Sequence, residues 1–231
     1  MRFVGVRSLE NQAALMRHKT RKMLVSQRTQ LLNGLRGHLT EVGVIAAQGP
    51  RHARELGELI EACDETIPFE VCEALAPLVV QLRNLDEAIA RLERTIAKLA
   101  QKDETARRLM SIPGFGPISA SAMAATIQDA SSFAGPREFA AFLGLTPKQN
   151  SSGGKQKLGR ISKMGNRNLR VVGAHAVLFH RKSHTDLLRM WATKLIKRKP
   201  FKLVAVALAN KMARIAFAIL RSKTTYQEIP T

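Results

Sequence analysis

Acidic side chains are scarce where basic ones are dense. Residues 106–231 hold four carboxylates, Asp129, Glu138, Asp186 and Glu228, against 22 Lys and Arg, a balance of +18. Residues 1–50 carry +6 and residues 51–105 carry −5, so the 231-residue chain totals +19. Those few carboxylates form no recognisable metal triad. A segment this cationic repels itself unless an anion covers it. Nucleic acid is the partner whose chemistry fits, because phosphates neutralise clustered Lys and Arg with release of counterions. The basic residues are not confined to one amphipathic helix, which argues against an anionic membrane surface.

Cysteine is also scarce. Cys63 and Cys72 are the only two, with no CxxC. They cannot make a zinc site alone, they exclude a disulfide framework, and they point to a reducing cytosol. Aromatic residues make up 5% of the chain, too few for the strands of a sandwich or barrel. No apolar stretch follows the basic N-terminus, so no signal peptide is expected. The longest apolar run, 203–220, is cut by Asn210, Lys211 and Arg214. It reads as a buried or amphipathic helix, not a membrane span. What remains is 45% apolar residues, enough for a folded core.

The helical pattern is strong. A helix is expected from Leu9 to Val42, capped by Ser8, with Val25, Leu32, Leu35, Leu39 and Val42 on one stripe. A short acidic helix follows within 51–67. Then Leu75, Leu78, Leu82, Leu85, Ile89, Leu92, Ile96 and Leu99 are spaced 3,4,3,4,3,4,3, a heptad seam along a helix from Phe69 to Gln101. Its partner is either the first helix, as an antiparallel hairpin, or a second copy of the chain. From 106 on, short helices alternate with glycine-rich turns, and the last helices are expected at Asn168–Arg181, about Asp186–Lys197 and Phe201–Arg221. No alternating strand pattern of useful length is present. The fold class expected is all-α in two parts: a helical coiled-coil region, 1–105, and a compact basic domain, 106–231.

Two motifs can carry chemistry. Ile112-Pro-Gly-Phe-Gly-Pro117 has the form of a helix-hairpin-helix: Pro113 and Gly114 turn the chain, Gly116 carries no Cβ, and Pro117 starts a helix whose N-terminus suits a phosphate. DNA-backbone binding and a purely structural turn are both open. The second motif, Asn150-Ser151-Ser152-Gly153-Gly154-Lys155, lacks the GxxxxGK[ST] spacing of a Walker loop. It is either a phosphate-binding or flexible loop, or the seat of a serine nucleophile flanked by cations. Candidate nucleic-acid contacts are Gly114, Gly116, Gly153, Gly154, Lys155, Lys157, Arg160, Lys163, Arg167 and Arg170. The charge run Lys194, Lys197, Arg198 and Lys199 extends that footprint. His180 and His184 lack a third ligand, so no metal site is assigned.

Four blocks stand in order: 112–117 (IPGFGP), 139–147 (FAAFLGLTP), 151–155 (SSGGK) and 159–166 (GRISKMGN). Together they resemble the C-terminal transposase domain of the DEDD-type insertion-sequence transposases, the bridge-RNA-guided recombinases of bacterial mobile elements. The likeness covers about Leu109 to Leu220, and the helices before it look like that family's coiled-coil dimerisation region. The resemblance implies DNA and a guide RNA as partners, a homo-oligomer formed through the heptad helix, and a nucleoid-associated cytoplasmic protein. It implies a serine that holds one DNA end as a phosphoserine. Ser152, directly before the first glycine, is the better match and Ser151 the reserve. It also implies four acidic residues holding Mg²⁺ on an N-terminal nuclease-like α/β domain, for which this sequence has no counterpart. The expectation is therefore a truncated polypeptide that binds no cofactor itself and is inactive without that domain. The alternative is a non-catalytic remnant that binds nucleic acid and modulates a full-length transposase.

Overall fold

The computed structural model describes residues 7–47, 49, 52–63, 65–155, 157–166, 169, 178 and 186–228. The chain is mostly helical. Helix α1 spans Leu9–Glu41, α2 His52–Ala62 and α3 Phe69–Lys102. Then come α4 (Glu104–Met110), α5 (Pro117–Thr126), a single 3-10 turn (Ala130–Ser132) and α6 (Pro136–Phe142). Strands β1 (Pro147–Gln149) and β2 (Leu158–Ile161) pair antiparallel, and α7 (Leu187–Ile196) and α8 (Phe201–Ser222) follow. The strands are an addition to the all-helical expectation. The helix expected at Asn168–Arg181 lies largely outside the described residues, as do Arg167, Arg170, His180 and His184.

Two compact units form, one from residues 16–95 and the other from residues 1–15 with 96–231. In the first, Leu32, Leu35 and Leu39 of α1, Leu56 and Ile60 of α2, and Leu75, Val79 and Leu82 of α3 form one buried cluster. Arg21 pairs with Glu93, and Arg28 with Asp86, one heptad apart on each helix and in opposite directions. That register makes α1 and α3 antiparallel here. The narrow leucine stripe of α3 is thus covered, over Leu75 to Leu85, within its own chain.

The sequence reading, which excluded a disulfide framework and pointed to a reducing cytosol, is corrected at one pair. Cys63 and Cys72 are joined by a disulfide, with their Cα atoms 5.9 Å apart. The reason is local. The turn after α2 hands the chain directly to α3, and this brings two residues nine apart in sequence to one edge of the buried cluster. Composition cannot register such a contact.

In the second unit, α8 is the central element. It is long and apolar enough to cross a membrane, but half of that stretch is buried. Val204, Leu208, Met212, Ala213, Ala216 and Phe217 fill the core with Leu109, Ile112, Met123, Phe139 and Leu143. Phe139 stacks edge-on with Phe133 at 5.2 Å and tilted against Phe217 at 5.6 Å. Apolar faces of short helices closing on one long helix explain why low β-propensity and short periodic runs give this fold.

Candidate nucleic-acid interface

The connection between α4 and α5 is a tight turn. Asp103 caps α4 by accepting hydrogen bonds from the Thr105 and Ala106 amides at 2.9 and 3.3 Å. The Phe115 amide then donates to the Ile112 carbonyl at 3.0 Å. Pro113 at the first inner position and Gly114 at φ +86° give this turn the type II pattern. Ile112 and Phe115 anchor it in the core. A Cβ on Gly116 would meet nothing within 4 Å. Gly114 is therefore required by the backbone, whereas Gly116 leaves the start of α5 open to solvent. The C-terminal segment docks beside this turn: the Tyr226 amide donates to the Ser111 hydroxyl at 2.8 Å. Burial, with Glu228 and Asp186 nearby, pushes the Tyr226 phenol above its ordinary pKa.

The serine loop is the end of a β-ribbon. Pro147 pairs with Ile161 and Gln149 with Leu158, with a register shift between them. The Asn150 amide donates to the Lys157 carbonyl at 2.9 Å, and the Lys155 amide to the Ser152 carbonyl at 3.1 Å. Gly153 and Gly154 sit at φ +56° and +76° between those partners. Two successive residues with positive φ are what a two-residue hairpin turn of the right-handed ribbon needs, and glycine supplies them at least steric cost. The Ser151 hydroxyl accepts a hydrogen bond from the Lys157 amide at 3.2 Å. Ser152 is exposed, and its hydroxyl has no hydrogen-bond partner among the described residues.

Lys155 closes the turn, Lys157 directly precedes the returning strand and Arg160 lies on it, all exposed. None forms an ion pair among the described residues. The sparse carboxylates of this half are used elsewhere. Asp129 caps the 3-10 turn, and hydrogen bonds from the Ser131 hydroxyl and amide hold its carboxyl below the ordinary range. Glu138 accepts from the Ala134 amide, and Asp186 caps α7 and pairs with Arg189. Among the described residues, Lys155, Lys157 and Arg160 have no carboxylate partner.

Lys163 stands at the ribbon's base rather than along it. Its φ of +56° is unusual for a lysine, and its amide donates to the Gly144 carbonyl at 3.2 Å. Here the segments GLTP and SKMG are locked together, and the Ser162 amide donates to the Thr146 carbonyl at 2.8 Å. The structure therefore gathers Ser151, Ser152, Gly153, Gly154, Lys155, Lys157 and Arg160 on one ribbon, with Lys163 at its foot. Gly114 and Gly116 belong to a different connection. Sequence reasoning missed the ribbon, although paired glycines between two polar runs are a hairpin signal. No group of three or more His, Cys, Asp or Glu able to hold a metal occurs among the described residues.

Residues 106–190 match the family model described as Transposase IS116/IS110/IS902 family. Over 98% of its length the chain is 44% identical to a Pseudomonas aeruginosa protein named "Probable family 20 transposase" and spans 69% of it. It is 38% identical to the transposase for insertion sequence element IS1111A of Coxiella burnetii, of which it spans 64%. It is 33% identical to the transposase for insertion sequence element IS1328 of Yersinia enterocolitica, of which it spans 69%. The chain is thus about two thirds as long as these relatives, and it belongs to the IS116/IS110/IS902 transposase family.

Proposed function

We propose that this chain is a DNA-transposition protein whose β-ribbon holds the DNA backbone and presents Ser152 as the nucleophile. The observation that carries the reading is Ser152 itself, on a hairpin turn, its hydroxyl and the neighbouring cations without a hydrogen-bond or ion-pair partner among the described residues. Ser151 fits the role less well because its hydroxyl already accepts the Lys157 amide.

A serine hydroxyl is a weak nucleophile near neutral pH and needs help from its surroundings. In the proposed step the Ser152 oxygen bonds to phosphorus as the phosphodiester P–O bond breaks. The serine proton is lost and the departing sugar oxygen takes one up, so one strand end is held as a phosphoserine ester. Lys155, Lys157 and Arg160 offset the charge that grows on the non-bridging oxygens. The open start of α5 at Gly116 is a second backbone contact, the helix-hairpin-helix reading of that turn. Such contacts position the duplex and carry no base readout. The resemblance also brings a guide RNA, a second copy engaging the heptad helix α3, and a four-carboxylate Mg²⁺ set. The described residues do not supply that set, and no step here is routed through a metal.

Salt titration tests the interface. Binding to a DNA duplex should fall linearly with the logarithm of salt, with a slope near −0.9 per phosphate contacted. Changing Lys155, Lys157 or Arg160 singly to Ala should lower that slope by about one, while Ser152→Ala leaves it unchanged. Absence of binding at low salt would contradict the reading. DNA binding with no covalent adduct under any condition would favour a non-catalytic, modulating chain.

A further inference from the structure

We propose that the β1–β2 ribbon is a reading arm for B-form DNA, seated in the major groove with Gln149 and Leu158 turned toward base edges. The inference deepens the reading above and rests on it. Every described residue from Pro147 to Arg160 is solvent-exposed, and Pro147 and Gln149 line an open cleft beside the start of α6 without being buried against it. A two-stranded hairpin alone is marginal in water, and one bare on both faces is completed by what binds it. Charge selects that occupant: from 139 to 185 the sequence holds no carboxylate but nine Lys and Arg. The occupant is a polyanion.

Width selects among polyanions. Paired strands lie about 4.8 Å apart, and with side chains such a ribbon fills a groove about 12 Å wide, the major groove of B-DNA. The B-DNA minor groove, about 6 Å wide, is too narrow. The major groove of an RNA duplex is too deep and narrow for side chains to read. Duplex DNA is therefore favoured over duplex RNA.

Leu158 supplies the second observation. It is an apolar side chain, 62% exposed, on a strand whose neighbours include Lys157 and Arg160. Nothing in an anion-holding role calls for it. Its cross-strand partner is Gln149, and residues opposite one another across a ladder share a face. A glutamine amide matches the N6 and N7 edge of adenine, and an apolar side chain matches the thymine methyl. Together they fit A·T-containing steps, while the flanking cations engage phosphates.

The test uses the full chain and a short duplex with randomised central positions. Selection should enrich A·T at discrete positions. Methyl green, a major-groove ligand, should displace the protein, and netropsin, a minor-groove ligand, should not. Gln149→Ala and Leu158→Ala should each flatten the enrichment and weaken binding to the selected duplex about 5- to 100-fold, with the salt slope unchanged. Replacing thymine by uracil, which removes the methyl, should weaken the parent and leave Leu158→Ala unaffected. Both side chains are exposed, so circular dichroism should show parent-like folding. Displacement by netropsin but not methyl green, or enrichment unchanged in both variants, would overturn the proposal while leaving DNA binding intact. A parent that binds no duplex at low salt would overturn the underlying reading and this one with it.

Discussion

Gly144 and Gly165 meet backbone to backbone at the foot of the ribbon: a Cβ on Gly144 would lie 2.8 Å from the Gly165 nitrogen. A Cβ on Gly165 would lie 2.1 Å from the Phe142 carbonyl oxygen. Neither neighbour is a flexible side-chain end, so the backbone itself would have to move. Gly165→Ala should therefore destabilise the protein by about 1–3 kcal/mol, lowering the melting temperature by about 2–4 °C per kcal/mol. Gly116→Ala, with open space around it, should stay within about 0.5 kcal/mol of the parent. Thermal unfolding of the two variants side by side checks this. Equal melting temperatures would mean that the 142–144 and 163–165 segments are not in contact.

The Cys63–Cys72 bond closes a short loop between α2 and α3. Chain-entropy reasoning for a loop of that length gives about 2–3 kcal/mol of stabilisation. Dithiothreitol should lower the unfolding midpoint of the parent and leave Cys63→Ser with Cys72→Ser unmoved. Thiol labelling of the native parent should find no free cysteine. Two labelled thiols before reduction would contradict the pairing.

His18 is buried on α1, and burial, then Arg21 and Arg17, push its pKa below the ordinary 6.5. The unfolded chain thus takes up a proton at higher pH than the folded one. The stability contributed by neutral His18 is fully present above about pH 6.5 and is lost as pH falls from there through the lowered folded value. Denaturant midpoints should decline on acidification from pH 7, before carboxylates titrate, and the decline should be shallower in His18→Gln. Equal slopes in both proteins would show that His18 is not the group involved.

Much of this was legible in the sequence. The bounds of α1 and α3 followed from uninterrupted helix formers and heptad spacing, and α8 from an apolar run broken at Asn210, Lys211 and Arg214. These are local signals, repeated over many residues. The ribbon was not legible, because Pro147–Gln149 and Leu158–Ile161 are too short for periodicity and are exposed on both faces, so no alternation was imposed on them. Gly153 and Gly154 are candidate nucleic-acid contacts by sequence, whereas the hairpin turn by itself already demands their positive φ. The role of Gly165 depends on Phe142, over twenty residues away, and the disulfide on how α2 meets α3. Both are tertiary facts.

Leu82 and Leu85 lie in the heptad seam and are both buried, Leu82 in the cluster that α3 shares with α1 and α2. Burying a lysine at either position leaves a charge without a partner. Leu82→Lys should therefore cost several kcal/mol of folding stability, of the order seen for unpaired buried charges, even in a monomer. By contrast, Arg21→Ala removes a partly exposed ion pair and should cost about 1 kcal/mol or less. Urea unfolding at several protein concentrations separates the two cases. A Leu82→Lys effect that grows on dilution would place the residue at a contact between copies instead.

The most direct measurement is covalent trapping of DNA. Parent, Ser151→Ala and Ser152→Ala proteins are incubated with duplex DNA, Mg²⁺, and the guide RNA and four-carboxylate domain that the proposed function calls for, and protein–DNA adducts are resolved on denaturing gels. The parent and Ser151→Ala should form adducts stable to denaturation and sensitive to protease. Ser152→Ala should form none while binding the duplex with parent-like affinity. Adducts that persist in Ser152→Ala but vanish in Ser151→Ala would move the nucleophile by one residue. Adducts that survive both changes would contradict the account and leave the ribbon as a DNA-holding element alone.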